Sequence, residues 1–176
     1  MSAISVDIPV LETERLILRG HRIEDLEEEK AFQTSDRAKG IGGPHPPERG
    51  FAALCGYIGH WVLRGYGMWA LEEKATGRYL GRVGCYYPDL WLGREIGWSV
   101  TAAGEGRGIA YEAALKAREY AYGVLGWTTA ISVVSPDNTR SMSLAQRMGC
   151  TRDEDWDHHI HGVLTIWRHP GPETLA

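Results

Sequence analysis

Cysteine is scarce in this chain of 176 residues: there are three, Cys55, Cys85 and Cys150, far apart and without a C-x-x-C pair. An odd, scattered set argues against a disulfide framework or a zinc site and suits a reducing compartment. A surplus of positive charge is also lacking. Nineteen Lys and Arg stand against 23 Asp and Glu, a formal net charge of −4. The footprint that grips nucleic-acid phosphates is therefore missing, and a cationic partner is the better tolerated one. No run of eighteen apolar residues occurs, so no segment reads as a membrane span. The first sixteen residues hold no basic stretch followed by an apolar one, so a signal peptide is not expected. Repeats, low-complexity tracts and long linkers are absent too. With 43% hydrophobic and 24% charged residues, the chain has the composition of a packed globular protein. The expectation is a single domain over residues 1–176, with its core from about 11 to 169, in the cytoplasm.

Periodicity then orders the elements. Residues 15–19 (RLILR) read as a short apolar strand, and 23–35 as a polar helix rich in Glu, Leu and Ala. The Gly/Pro stretch 40–47 (GIGGPHPP) reads as a loop, and 48–63 as a second helix ended by Gly65-Tyr66-Gly67. Residues 68–72, 79–87 and 94–100 have the period of strands. The span 107–122 is helical, with Ala110, Ala113, Ala114, Ala117 and Ala121 at three- and four-residue spacing, a stripe that lets a helix lie close to a sheet. The uncharged run 128–134 suits a strand buried on both faces. Asp137 or Asn138 is the expected cap of the next helix, which Gly149 closes. Residues 151–156 and 163–168 read as a final antiparallel pair. The fold class is α+β (mixed α/β), in the order β-α-α-β-β-β-α-β-α-β-β.

The stretch 99–112, SVTAAGEGRGIAYE, carries the chemistry. A strand runs into a turn with Gly104, Gly106 and Gly108, and the turn opens a helix. Glycine leaves the backbone accessible and permits positive φ. The N–H groups of Arg107, Gly108, Ile109, Ala110 and Tyr111 fall in the first helical turn, where they lack intrahelical acceptors, so loop and helix dipole together suit a diphosphate. Arg107 adds a formal charge. A Walker A lysine is missing, and the G-x-G-x-G spacing with no acid at the end of the next strand does not meet the dinucleotide fingerprint. A glycine-rich turn without a ligand stays open at this point.

Gly106-Arg107-Gly108-Ile109-Ala110 followed by Glu112-Ala113 resembles the pyrophosphate loop of GNAT-superfamily N-acetyltransferases, in particular the RimJ/RimL-like branch that acetylates ribosomal-protein N-termini. Three further segments agree in order and spacing: residues 11–19 (LETERLILR) with that branch's first strand, Glu95-Ile96-Gly97-Trp98 with its fourth, and Asn138-x-x-Ser141 through Gly149 with the segment after the fifth. The resemblance implies a mostly antiparallel sheet splayed between the family's strands four and five, flanked by about four helices. It implies acetyl-CoA as cosubstrate, with no metal. Backbone groups around Trp98, Ser99 and Val100 would pair with pantetheine, one of them polarising the thioester carbonyl. The amides of Gly106, Arg107, Gly108, Ile109, Ala110 and Tyr111 would hold the pyrophosphate, and Asn138 and Ser141 would approach the arm and its sulfur. Two departures stand out. Ala103 replaces the Gln or Arg that often opens the loop, and Ala145 stands where many members carry a general-acid Tyr.

Aminolysis of a thioester needs a neutral amine, a polarised carbonyl and a proton for the thiolate. Glu95 is the first choice for general base through a water, because in an extended strand Glu95, Gly97 and Ser99 share a face; a structural carboxylate bonded across the sheet is the alternative. Ser141 is the candidate acid, or else a cap-proximal residue bonded to backbone. The cluster His158-His159-x-His161 is expected to be a turn rather than a metal site. Trp98 is a candidate for the acceptor wall, with Trp69, Trp127 and Trp167 in the core. The acidic runs 24–29 and 153–157 read as solvated faces, the second also placed to attract an amine. The expected partner is an amine acceptor: a protein N-terminus, an amino acid, a polyamine or another small amine. A homodimer is compatible with the sequence; nucleic acid and membrane are not expected. A catalytically inactive acyl-CoA-binding module and an unrelated phosphate-binding domain are the competing readings.

Overall fold

The computed structural model describes residues 5–175. The chain opens on β1 (Leu11–Glu12) and β2 (Leu16–Arg19), antiparallel with Leu11 opposite Leu18. The strand expected at 15–19 is β2, and the longer segment 11–19, likened to a single strand, is a hairpin. Thr13 makes it so: its hydroxyl accepts the Leu16 N–H at 3.0 Å while its own N–H reaches Leu16 O, a local turn that outcompetes extension. Next come a 3₁₀ turn at Ile23–Asp25, α1 (Leu26–Gln33), a second 3₁₀ turn at Asp36–Ile41 and α2 (Glu48–Arg64). The Gly/Pro loop therefore starts later than its composition suggests.

An antiparallel meander follows: β3 (Met68–Glu73), β4 (Tyr79–Tyr86) and β5 (Glu95–Val100). After it come α3 (Ile109–Gly123), β6 (Ile131–Val134), α4 (Thr139–Arg147), β7 (Thr151–Arg152), β8 (Trp156–His158), β9 (Gly162–Arg168) and the single turn α5 (Pro172–Leu175). Strand β6 is shorter than the uncharged run 128–134, and the expected final pair is three strands. Sheet order is β1-β2-β3-β4-β5-β6-β9-β7, with β8 on β9, and only β5–β6 is parallel.

Helix α3 lies against the sheet on its alanines. Ala113, Ala114, Ala117 and Ala121 are fully buried, and Trp69, Trp127 and Trp167 are core residues as expected. The other sheet face, beneath α1 and α2, is polar inside. Glu29, with no exposed surface, accepts two hydrogen bonds from Arg82 (3.0 and 2.9 Å) and one each from Gln33 (2.8 Å) and the Tyr79 hydroxyl (3.1 Å). Asp25 pairs with Arg19 at 2.8 Å. The first acidic run is therefore partly an interior ion-pair network rather than a solvated face. The second run sits at the β7 edge, where Asp153 pairs with Arg168 (2.6 Å) and Asp155 with Arg152, away from the cleft described next. No helix among the described residues is long and apolar enough to cross a membrane.

Candidate active site

Strands β5 and β6 meet at one residue pair, Glu95 opposite Ile131, and then diverge. Alternation along β5 fixes what the gap receives. The carbonyls of Arg94 and Ile96 point toward β6, accepting from Ile131 N–H (2.9 Å) and the Ser132 hydroxyl (2.7 Å). Trp98 and Val100, two and four residues on, present both backbone groups to the gap. Ser99 does not. Thr101 N–H bonds Leu80 O at 2.8 Å, so odd-numbered backbone groups face β4, and Ser99 stands opposite Arg82 there. What Ser99 can offer the cleft is its side chain.

The divergence opens a cleft of about 1860 Å³ that runs from the glycine loop to the space under α2. At its loop end, Gly106 (φ 72°) and Gly108 (φ 76°) are both left-handed, and Gly108 caps α3. Among the described residues the amides 106–111 find no acceptor; the first satisfied one is Glu112 N–H, to Gly108 O at 3.1 Å. Arg15 braces this loop from behind. It donates to Arg107 O (2.9 Å) and to Glu112 (2.6 Å), which leaves the amides facing forward. The Arg107 guanidinium is turned away: it bonds Ala103 O at 2.9 Å and pairs with Glu73, outside the cleft wall. The charge that arginine was expected to add to the anion site is thus already matched. Glu105, in the wall, is paired with Arg37 (2.6 Å) and Arg140.

Glu95 lies at the crotch of the splay, 7% exposed. Its carboxylate accepts from the Trp91 indole N–H (2.7 Å) and, across the gap, from Val133 N–H (3.3 Å). Burial pushes its pKa up to about 7, against those two donors, which pull it down. Gly97 shares its face as expected: a Cβ there would stand 3.5 Å from Glu95 Oε1. So Glu95 is bonded across the sheet and its carboxyl changes charge near neutrality. On the far wall, Asn138 caps α4, accepting the Ser141 N–H at 3.1 Å. The Ser141 hydroxyl accepts from the Trp98 indole at 3.2 Å, which brings these two sequence candidates together across the gap.

Other members of the site carry no motif. Trp91 packs edge-on against Tyr86 (5.9 Å) and Trp156 (5.1 Å). Ser132 is held in a relay: its single proton goes to Ile96 O, so His169 Nε2–H, 2.9 Å away, donates to it, leaving His169 Nδ1 to accept from Arg118. Burial, then Arg118, drop the His169 pKa to about 3, fixing it neutral. The histidines near residue 160 build a turn, His158 Nδ1 accepting the N–H groups of Ile160 (3.1 Å) and His161 (3.2 Å). Among the described residues no three His, Cys, Asp or Glu side chains converge as a metal site.

The chain as a whole has relatives. Residues 15–151 match the family model of the acetyltransferase (GNAT) domain. An acetyltransferase from Agrobacterium tumefaciens str. C58 has a similar structure (TM-score 0.85) at 31% identity, over 97% of this chain and 99% of that one. The uncharacterized N-acetyltransferase YoaA of Bacillus subtilis is 26% identical over 149 residues, 82% of this chain and 84% of its own. The ribosomal L7/L12 alpha-N-protein acetyltransferase RimL, solved with coenzyme A, shares the fold (TM-score 0.71) at 16% identity, over 92% and 97% of the two chains. The chain belongs to the GNAT acetyltransferase family.

Proposed function

We propose that this protein transfers an acetyl group from acetyl-CoA to a primary amine, a protein N-terminus or a small molecule, in a ternary complex. One observation carries the reading: six successive unpaired amides, 106–111, continue into the open edge of β5, which leads to a buried carboxylate with a pKa near 7. A diphosphate fits the amides and the dipole of α3. An extended pantetheine arm fits the Trp98 and Val100 backbone groups, with Asn138 and Ser141 on its far side. Chemistry follows from that pose. Glu95, directly or through one water, takes one proton from the bound ammonium. The freed nitrogen attacks the thioester carbonyl carbon, whose oxygen a β5 N–H polarises. The C–N bond forms and the C–S bond breaks, with its electron pair going to sulfur. The second ammonium proton reaches the thiolate through the Ser141 hydroxyl. No step calls on a metal.

Motif agreement with the RimJ/RimL-like branch supports placing the chain there. A carboxylate tuned near neutrality argues for turnover over an inactive binding module. The three cysteines, all free, fit a cytoplasmic setting. The test is release of CoA thiol from acetyl-CoA across a panel of amines, with product mass. Amine-dependent, saturable release is expected. Acetyl-CoA should also stabilise the fold by about 2.7 kcal/mol at a hundredfold excess over Kd. No thermal shift with millimolar acetyl-CoA, or no release with any amine, would refute it.

A further inference from the structure

The end of the cleft remote from the glycine loop has walls of its own. Tyr86 stands directly opposite Glu95 on β4, so both side chains rise from the same sheet face. Its ring lies between that of His60, stacked at 5.5 Å, and that of Trp91, edge-on at 5.9 Å. Its hydroxyl makes no hydrogen bond with the described residues, although it lines the cleft. Burial pushes this hydroxyl's pKa up, Glu95 adds to the rise, and Arg82 and Arg49 oppose it. One acidic and two basic groups therefore surround one phenol. Arg82 is spent on Glu29. Arg49, in the first turn of α2, lines the cleft and pairs with no carboxylate among the described residues.

A strap crosses the cleft from one end to the other. The segment between α1 and α2 crosses to the opposite wall, where a Cβ on Gly40 would lie 2.7 Å from Asn138 Nδ2 and one on Gly42 3.5 Å from His161 Nδ1. A Cβ at Gly40 would have to displace the end of the Asn138 side chain, so glycine there lets the strap lie close to α4. The strap joins the glycine loop through Arg37 and Glu105 (2.6 Å) and reaches the remote end where Gly42 approaches His161.

We propose that the acceptor is a small amino-acid-like zwitterion, its ammonium at Glu95 beside the packed rings of Tyr86 and Trp91 and its carboxylate directed to Arg49. This rests on the acetyltransferase reading above and narrows its amine. The physical basis is charge placement. A buried carboxylate receives one ammonium, and an unmatched guanidinium lining the same cleft repels a second one while offering a fork to an anion. Diamines and polyamines meet Arg49 with the wrong sign. Amines without an anion leave it unused.

The experiment compares matched acceptors at fixed acetyl-CoA: the common L-amino acids, their amides, the corresponding amines lacking the carboxylate, spermidine, and short peptides, with CoA thiol and product mass as readouts. At least one amino acid should exceed its own amide and its decarboxylated amine by about tenfold or more in kcat/KM, the size of one charge-assisted hydrogen bond. Arg49→Ala should erase that ratio by raising KM for the acid while leaving the amide's KM in place, and Arg49→Glu should reverse the ratio. Release with amides, plain amines, spermidine or peptides at or above the level of every amino acid overturns the zwitterion and leaves the transferase reading standing. So does an Arg49→Ala effect equal for acid and amide. Release with no acceptor at all overturns both.

Discussion

Replacing Glu95 by glutamine removes the one buried carboxylate in the cleft while keeping its shape. In the wild type a pKa of about 7 leaves about a tenth of the molecules ionised at pH 6 and about nine tenths at pH 8. The rate should rise over that window with a single ionisation. The substituted amide accepts no proton, so kcat should fall roughly 10²-fold, the low end for a lost general base, with acetyl-CoA affinity nearly unchanged. The mutant's rising limb should move to the pKa of the amine itself, because only amine already neutral in solution can react. Stability provides an independent measure. Burial holds the folded-state pKa above its ordinary 4.5, so the folded protein binds this proton more tightly than the unfolded chain. The contribution is present below pH 4.5 and lost as pH rises through 7, about 3 kcal/mol over roughly 2.5 units. The Glu95→Gln protein escapes that loss but turns an amide N–H toward Trp91 or Val133, at about 1 kcal/mol. Urea unfolding at pH 5 and pH 8 should therefore show the mutant gaining on the wild type by up to about 3 kcal/mol between the two. Wild-type kcat with an unshifted profile would mean that Glu95 only ties β5 to β6 and that bulk water takes the proton.

Gly108→Val should abolish coenzyme A binding in calorimetry while the far-ultraviolet dichroism stays near native: the added Cβ meets only Arg15, at 3.5 Å, but a left-handed φ of 76° costs a branched residue roughly 1–3 kcal/mol and reshapes the cradle. Arg107→Ala should weaken binding far less, since its guanidinium is committed to Glu73 and Ala103; a larger effect than that of Gly108→Val would refute the amide cradle. Glu29→Ala should destabilise by about 3–5 kcal/mol in denaturant titrations, because Arg82 would be left buried without its counter-charge. Ser132→Ala strands the His169 Nε2–H and releases Ile96 O, so melting should show a loss of about 1–3 kcal/mol together with a higher KM for acetyl-CoA.

What could be read without coordinates divides along a physical line. The glycine loop was legible because its chemistry is local: left-handed φ at two glycines and bare amides at a helix start depend on neighbours in sequence. The alanine stripe of α3 and the Asn138 cap were legible for the same reason. The Thr13 turn is local as well, but it competes with a strand-like pattern, and its further bonds to Glu112 of α3, almost a hundred residues away, leave no mark in the sequence nearby. The acidic run near residue 27 misled because charge pattern alone cannot show that Arg82, two strands over, reaches Glu29. That Glu95 faces the cleft follows from its place on β5, but its raised pKa is hidden. A raised pKa needs burial, and at this point Trp91, folding over from the preceding loop, and β6, still close enough for Val133 N–H to reach the carboxylate, enclose it. Tyr86 and Ser132 share that difficulty: each is an ordinary strand residue until register sets it opposite Glu95 or beneath Ile96.

Those three residues, with Trp91 and Val133, form one unit. Two strands of a sheet that part company leave N–H and C=O groups without partners, a cost that the fold must offset. Here side chains meet it at the base of the gap, Ser132 for the Ile96 carbonyl and Glu95 for the Val133 amide. Farther up, Trp98 and Val100 have no such substitute, and their unmet hydrogen-bonding capacity is what an extended cosubstrate can satisfy. The carboxylate that closes the base of the splay is thereby also the one nearest to where the arm would end. Each carboxylate oxygen has two lone pairs, so the bonds that clasp the sheet leave Glu95 with acceptor capacity toward the cleft.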